Sequence, residues 1–295
     1  MKIYSAILFS FGLIVFFIGL IFCLNVTVYS EIVHFNGYNS PDVLYKNQPQ
    51  SYYKNSHVEF TVTTDSDKNY HFSLVFKDAK NQDKNWKWAY PEGQTDAAIL
   101  KFGIPKTMFQ PYYPVDSVIK KRELLLKKGM FVQKGQYLKP DLVRLVQYYR
   151  PFMEQISNAA KSESLEKTKR ASIELLMKFC QDIPYAIPPK NFGNKYIGGL
   201  FPPPQVFVNK FGDCDSKAVI FCAAASYIEN IEMLFLYETG HVLPAVKGIP
   251  KPYDNFYTYK NEKYIMADTA GPGRNNFGVV KDPYKKVVAV SEVKI

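Results

Sequence analysis

The pattern of apolar and polar positions changes period several times along the chain, and each change predicts a different element. From Ala6 to Leu24 the chain reads AILFSFGLIVFFIGLIFCL without a charged residue, about the length that crosses a bilayer as a helix. After a polar stretch over 31–56, alternation takes over. His57-Val-Glu-Phe-Thr-Val-Thr63 and His71-Phe-Ser-Leu-Val-Phe76 alternate cleanly, and Trp86–Tyr90 and Ala98–Phe102 follow between turn residues. These runs predict a small antiparallel sheet over 57–105. From Val115 the period lengthens. Residues 141–160 place Leu142, Leu145, Val146, Tyr149, Phe152 and Ile156 at helical spacing, with Pro151 expected to kink or break the helix. Residues 163–182 predict a second helix with Leu165, Ala171, Leu175, Leu176 and Phe179 as its apolar stripe. Proline and glycine then punctuate 184–206, which predicts a long loop of the kind that often binds. Beyond it come a buried helix over Ala218–Ile228 and three strands, Glu232–Tyr237, Gly240–Val246 and Glu262–Asp268.

The leading apolar run decides where the rest would sit. Lys2 and the amino terminus precede it, while Glu31 and Asp42 follow. The positive-inside bias keeps the N-terminus cytoplasmic and exports everything after Tyr29 on a single-pass anchor. A cleaved signal peptide is the alternative, with Val28 and Ser30 at the −3 and −1 positions. Composition adds an ordinary globular balance, 47% apolar and 22% charged, which excludes wholesale disorder. The formal charge is +10, but its Lys and Arg residues are scattered and no zinc-finger or RNA-binding signature accompanies them. A solvated basic surface, with no nucleic-acid partner, is the reading that fits.

Four cysteines are too few and too dispersed for a disulfide framework. Cys214 and Cys222, eight residues apart on one helix, are separated by about 12 Å of rise and cannot bridge. A free thiol is therefore expected. Gly212 and Asp213 supply a turn and a cap, so Cys214 falls at the first turn of the following helix. Free N–H groups and the positive end of the helix dipole there favour thiolate and could hold an oxyanion. Cys222, a helix face deeper among alanines, reads as an inert core residue. A thiol nucleophile needs a base, and the base an orienting group. His241 is the sole histidine after His71. If the strands beginning at His241 and ending at Asp268 pair antiparallel, those residues are neighbours across the ladder. Each of the three has a bland explanation alone: small core residue, satisfied histidine, turn former. Their joint placement is more specific. The separated Cys residues and a lone His lack metal-ligand spacing, so no metal or cofactor is expected.

The residues Phe211-Gly-Asp-Cys-Asp-Ser-Lys-Ala218, Gly240-His-Val-Leu-Pro-Ala-Val246 and Tyr264-Ile-Met-Ala-Asp-Thr269 resemble the transglutaminase-like superfamily of cysteine-protease-fold enzymes, particularly its bacterial membrane-associated members. Phe179-Cys-Gln-Asp-Ile-Pro-Tyr185 and Phe102–Phe109 are similar to segments ahead of that group's catalytic cysteine, so the resemblance spans roughly 96–280. It departs at Ser216, where the family often has an acidic residue, and at Leu243-Pro244. The resemblance implies an α+β fold with a papain-like core, a central helix on an antiparallel sheet. It implies Cys214 as nucleophile, His241 as general base and acid, and Asp268 as the group orienting the imidazole; the second oxyanion donor is unassigned, with Gln205 and Gln181 as the candidates. The expected organisation is an anchor over 1–30, a linker and small β-rich region over 31–115, a helical region over 116–162 and a catalytic domain over 163–295. The expected reaction is acyl transfer on peptide or protein amides, by hydrolysis in a peptidase or amidase. Transglutaminase cross-linking is one alternative, and a non-catalytic cell-surface binding module on the same fold is another.

Overall fold

The alternating positions after residue 57 become a three-stranded antiparallel meander in a computed structural model that describes residues 51–164, 166–281 and 286–295. Its strands are β1 (Glu59–Thr64), β2 (Asn69–Lys77) and β3 (Asp83–Pro91), in that spatial order. The register sets Phe60 opposite Leu74 and Phe72 opposite Trp88. Phe72, Leu74 and Phe76 point to one buried face, as the two-residue period requires.

The fourth expected strand, Ala98–Phe102, is not a strand. Glu92–Lys101 forms helix α1, in which Thr95 Oγ1 donates to Pro91 O at 2.9 Å. Its buried residues are Thr95, Ala98 and Ile99, spaced three and four apart. A short apolar run satisfies either period, and the helix is chosen because this spacing faces the core.

Next come β4 (Ile104–Pro105), a 3-10 turn at Lys106–Phe109 and helix α2 (Asp116–Lys128). The hairpin of β5 (Phe131–Lys134) and β6 (Tyr137–Pro140) follows. Helix α3 (Leu142–Tyr149) starts where the Asp141 carboxylate accepts the Arg144 N–H at 3.2 Å. Pro151 ends it, as expected, in the 3-10 turn Arg150–Met153, and α4 (Glu154–Glu163) resumes. Helix α5 (Lys169–Asp182) is capped by Thr168, whose hydroxyl accepts the Ala171 N–H. The loop expected over 184–206 is partly regular. It contains β7 (Asn191–Phe192) and β8 (Lys195–Tyr196), and β8 also pairs with β4. Helix α6 (Pro203–Asn209) begins inside the triple proline, where a missing N–H costs nothing because first-turn amides have no intrahelical partner.

Helix α7 (Cys214–Ala225) buries every residue except Asp215. A helix with no polar face belongs at the centre of a domain, and α7 is packed by α3, α4, α5 and α6 on its flanks and by a sheet on the remaining side. That sheet contains β9 (Met233–Glu238), β10 (His241–Lys247), β11 (Phe256–Tyr259), β12 (Glu262–Met266) and β13 (Ala289–Val293). It is antiparallel throughout, in the order β11-β12-β10-β9-β13. The fold is therefore α+β.

The meander is not a separate body. Phe179 of α5 stacks on Trp86 at 5.1 Å between centroids and meets Phe76 and Trp88 edge-on, each at 5.7 Å. Phe207 of α6 lies 5.0 Å from Trp88. One apolar cluster runs from Val58 to Val293, and all described residues lie in one compact unit. The apolar run over 6–24, with Cys23, lies outside the described residues. Among the described residues no helix is long and apolar enough to cross a membrane.

Candidate active site

The turn Phe211-Gly-Asp delivers the start of α7 beneath the five-stranded sheet. Gly212 has no room for a side chain without displacing Val206 and Ser216, 3.1 Å from where its Cβ would stand. Asp213 caps the helix, its carboxylate accepting the Ser216 N–H at 3.0 Å and the Ser216 hydroxyl at 2.6 Å. Cys214 is thus the first helical residue, as its sequence position predicts. It is buried, yet it borders a cleft of about 740 Å³ that is also lined by Asp213, Asp215, Tyr185, His241 and Val242.

His241 is the first residue of β10, paired with Glu238 on β9. On its other side the ladder with β12 covers only Ala245–Lys247. An Ala267 N–H bond to Pro244 O at 2.9 Å follows, and the chain then leaves the sheet. Continued in that register Asp268 would face Leu243, two residues from His241 and on the same side of the pleat. The carboxylate reaches back: His241 Nε2 lies 3.7 Å from Asp268 Oδ1. This contact is longer than a hydrogen bond. It engages Nε2 and leaves Nδ1 as the ring nitrogen for other chemistry. The Asp268 carboxylate also accepts the Ala270 N–H at 3.2 Å and the Asn275 amide at 3.3 Å. Burial pushes the Asp268 carboxyl up, but these bonds and His241 outweigh it and hold it below the usual carboxylate range.

The thiol is in a different electrostatic state from the one its helix position predicts. Burial raises the Cys214 pKa, the Asp215 and Asp213 carboxylates raise it further, and the thiol donates to Asp215 Oδ1 at 3.2 Å. The Val242 N–H, aimed at the sulfur, opposes this without reversing it. The physical reason is local: two carboxylates flank the sulfur in sequence, and their field and the desolvation exceed the half-charge of the helix end. Asp213 is itself raised to about 7, first by burial and then by Asp215. Burial also raises Asp215, against the pull of Cys214, His241 and Lys139.

Asp213, Cys214 and Asp215 place one ligand atom each within 4.8 Å of one another, the one such group among the described residues. Asp213 already caps α7 and Asp215 already accepts the thiol S–H, so both carboxylates are engaged. Neither expected second oxyanion donor borders the cleft. Gln181 spends its amide on Asp268 O at 2.7 Å and Asn275 O at 3.1 Å. Gln205 is buried in α6, its Nε2 without a partner. Cys222 and Cys180 are free and buried, and burial raises both thiols, Cys180 to about 12. Residues that sequence reasoning passed over are Asp215, the thiol's acceptor, and Asn275, which holds Asp268. Only the carboxylate adjacent to the cysteine offered a signal in one dimension.

No family model matches the chain. No curated protein and no solved structure matches it either.

Proposed function

We propose that the chain is a thiol-dependent acyl-transfer enzyme acting on peptide or protein amides, with Cys214 as nucleophile, His241 as general base and acid, and Asp268 as the group that orients the imidazole. The observation that carries this reading is the sharing of one cleft by Cys214 and His241, with His241 Nε2 turned to Asp268 at 3.7 Å. The resemblance of Phe211–Ala218, Gly240–Val246 and Tyr264–Thr269 to the transglutaminase-like superfamily supports it, as does the central helix on an antiparallel sheet.

Burial and the Asp215 and Asp213 carboxylates favour the protonated thiol at rest, so proton loss accompanies attack instead of preceding it. Cys214 Sγ forms a bond to the amide carbonyl carbon as its proton passes to His241. The imidazolium then gives that proton to the leaving amine, the C–N bond breaks and a thioester remains. Water attacks the thioester with His241 as base, the C–S bond breaks, and the thiol recovers its proton. The Val242 N–H, already aimed at the sulfur, is a donor available to a developing oxyanion. Hydrolysis is favoured over amine transfer because it needs no second substrate site. The run over 6–24 would anchor the enzyme to a membrane with the cleft outside.

The test uses the full chain in detergent with a mixture of amidated peptides, reading released amine and acyl adducts on Cys214 by mass spectrometry. Cys214→Ala should abolish both signals. His241→Ala should slow turnover by about 10²–10⁴-fold, the usual contribution of general acid–base catalysis. Added glycine methyl ester separates the outcomes: free acid means hydrolysis, and its amide means cross-linking chemistry. No adduct and no amine release from any peptide would overturn the reading in favour of a binding module.

A further inference from the structure

The loop that carries Asp268 is held from below by buried side chains whose role the reaction itself does not require. Lys217 lies one turn along α7 from Cys214 and is completely buried. Its ammonium donates to Ala270 O and to Ile183 O, each at 2.5 Å, and sits 5.6 Å from the Tyr185 ring centroid. Ala270 is the residue whose N–H is bonded to Asp268 Oδ1. The nucleophile's helix is therefore joined through one ammonium to the turn that presents the carboxylate. The same turn approaches α5 so closely that a Cβ on Gly271 would stand 2.1 Å from Gln181 O. Gln181 in turn grips both Asp268 O and Asn275 O.

We infer that Lys217 is a positioning residue, which sets the place of Asp268 relative to Cys214 by fixing the Asp268–Asn275 turn to helix α7. This rests on the proposed roles of Cys214, His241 and Asp268. A buried lysine is a costly way to fill space, since an ammonium must be desolvated. Burial pushes Lys217 down to about 7, while Cys180, Asp182, Asp213 and Asp268 pull it back up. Methionine would fill the same volume without that cost, so a side chain needed only for packing would not demand a charge. Two carbonyls from separate elements, Ile183 after α5 and Ala270 after β12, demand a donor with several hydrogens in one place, which lysine supplies.

The experiment compares Lys217→Met with the natural full chain in two readouts. Hydrogen exchange followed by mass spectrometry should show peptides covering 268–276 exchanging at least about tenfold faster, with α7 and β10 still protected, as expected when a local tether opens independently of the core. Unchanged exchange in that turn overturns the inference. The second readout is a double-mutant cycle on the iodoacetamide labelling rate of Cys214. Asp268→Ala should slow labelling in the natural chain and have little further effect in Lys217→Met. A full Asp268→Ala effect in Lys217→Met, alongside a loosened turn, makes Lys217 a structural tether only and also overturns the inference. If Lys217→Met does not fold, Gln181→Met removes the second grip on the same turn and is read in the same two ways. If neither His241→Ala nor Asp268→Ala alters labelling in the natural chain, the proposed function fails, and exchange still decides whether Lys217 holds the turn.

Discussion

The S–H of Cys214 donates to the carboxylate of the next residue, Asp215, at 3.2 Å, and that single bond changes what the thiol can do at rest. A helix start favours thiolate, but burial and two adjacent carboxylates raise the Cys214 pKa instead. Asp215→Asn removes one of those charges and the acceptor of the thiol proton. Each pH unit of thiol pKa is tenfold in thiolate at fixed pH. Iodoacetamide labelling of Cys214 at pH 7 should therefore rise about tenfold in Asp215→Asn, read by mass spectrometry of the Cys214 peptide. A slower or unchanged rate would show that Asp215 does not hold the thiol in its protonated form. Adjacent residues on a helix start do not face each other by any period, so the Cys214–Asp215 contact was not legible as a pattern, although the residues were.

At the scale of elements, α5 is the member that joins the meander to the central helix α7. Its fully buried Phe179 stacks on Trp86 and meets Phe76 and Trp88. Phe179→Ala leaves a ring-sized void among three aromatics, and such truncations cost about 3–5 kcal/mol. Its urea midpoint should fall accordingly, with the slope unchanged if the meander and the helical core still unfold together. A meander that unfolded first, as a separate transition, would contradict the shared core. The existence and type of β1, β2, α5 and α7 were legible in the sequence but their ends were not: α5 starts at Lys169 rather than at 163, and α7 runs Cys214–Ala225 rather than Ala218–Ile228. Ala98–Phe102 was not legible even in type, since five residues satisfy a strand and a helix alike, and packing against the core chose the helix.

At the scale of the molecule, Asp182 gathers parts of the chain that are far apart in sequence. Its side chain, with no exposed surface, accepts from Asn55 at 2.8 Å, from the Lys77 N–H at 3.1 Å and from Arg274, and meets His57 Nε2 at 2.9 Å. Burial pushes the Asp182 carboxyl up, but these partners overcome it and hold it below its ordinary value. A carboxyl with a depressed folded pKa adds stability that is present above its unfolded value, near ~4, and is lost as pH falls through the folded one. Asp182→Asn leaves Arg274 without its buried counter-charge, which typically costs about 3–5 kcal/mol. The stability difference from the natural chain should have that size at pH 7 and shrink steadily below about pH 4, measured by denaturant titration at each pH. A difference independent of pH would show that the charge of Asp182 contributes nothing.

The sequence by itself determined the local elements around the candidate site, because they depend on spacing between near neighbours: a capped helix start at Cys214, a strand opening at His241 and a strand leading to Asp268, although that strand ends at Met266 and not at Asp268. It also carried the free thiols, since the rise of a helix forbids the Cys214–Cys222 bridge. Tertiary structure alone decided the burial that raises the Cys214 pKa, the reach of Asp268 past the end of its ladder and the burial of Lys217 between two carbonyls. Those depend on desolvation and on groups brought together from 27 to 53 residues apart, His241 with Asp268 and Lys217 with Ile183 and Ala270, and no one-dimensional period encodes a dielectric.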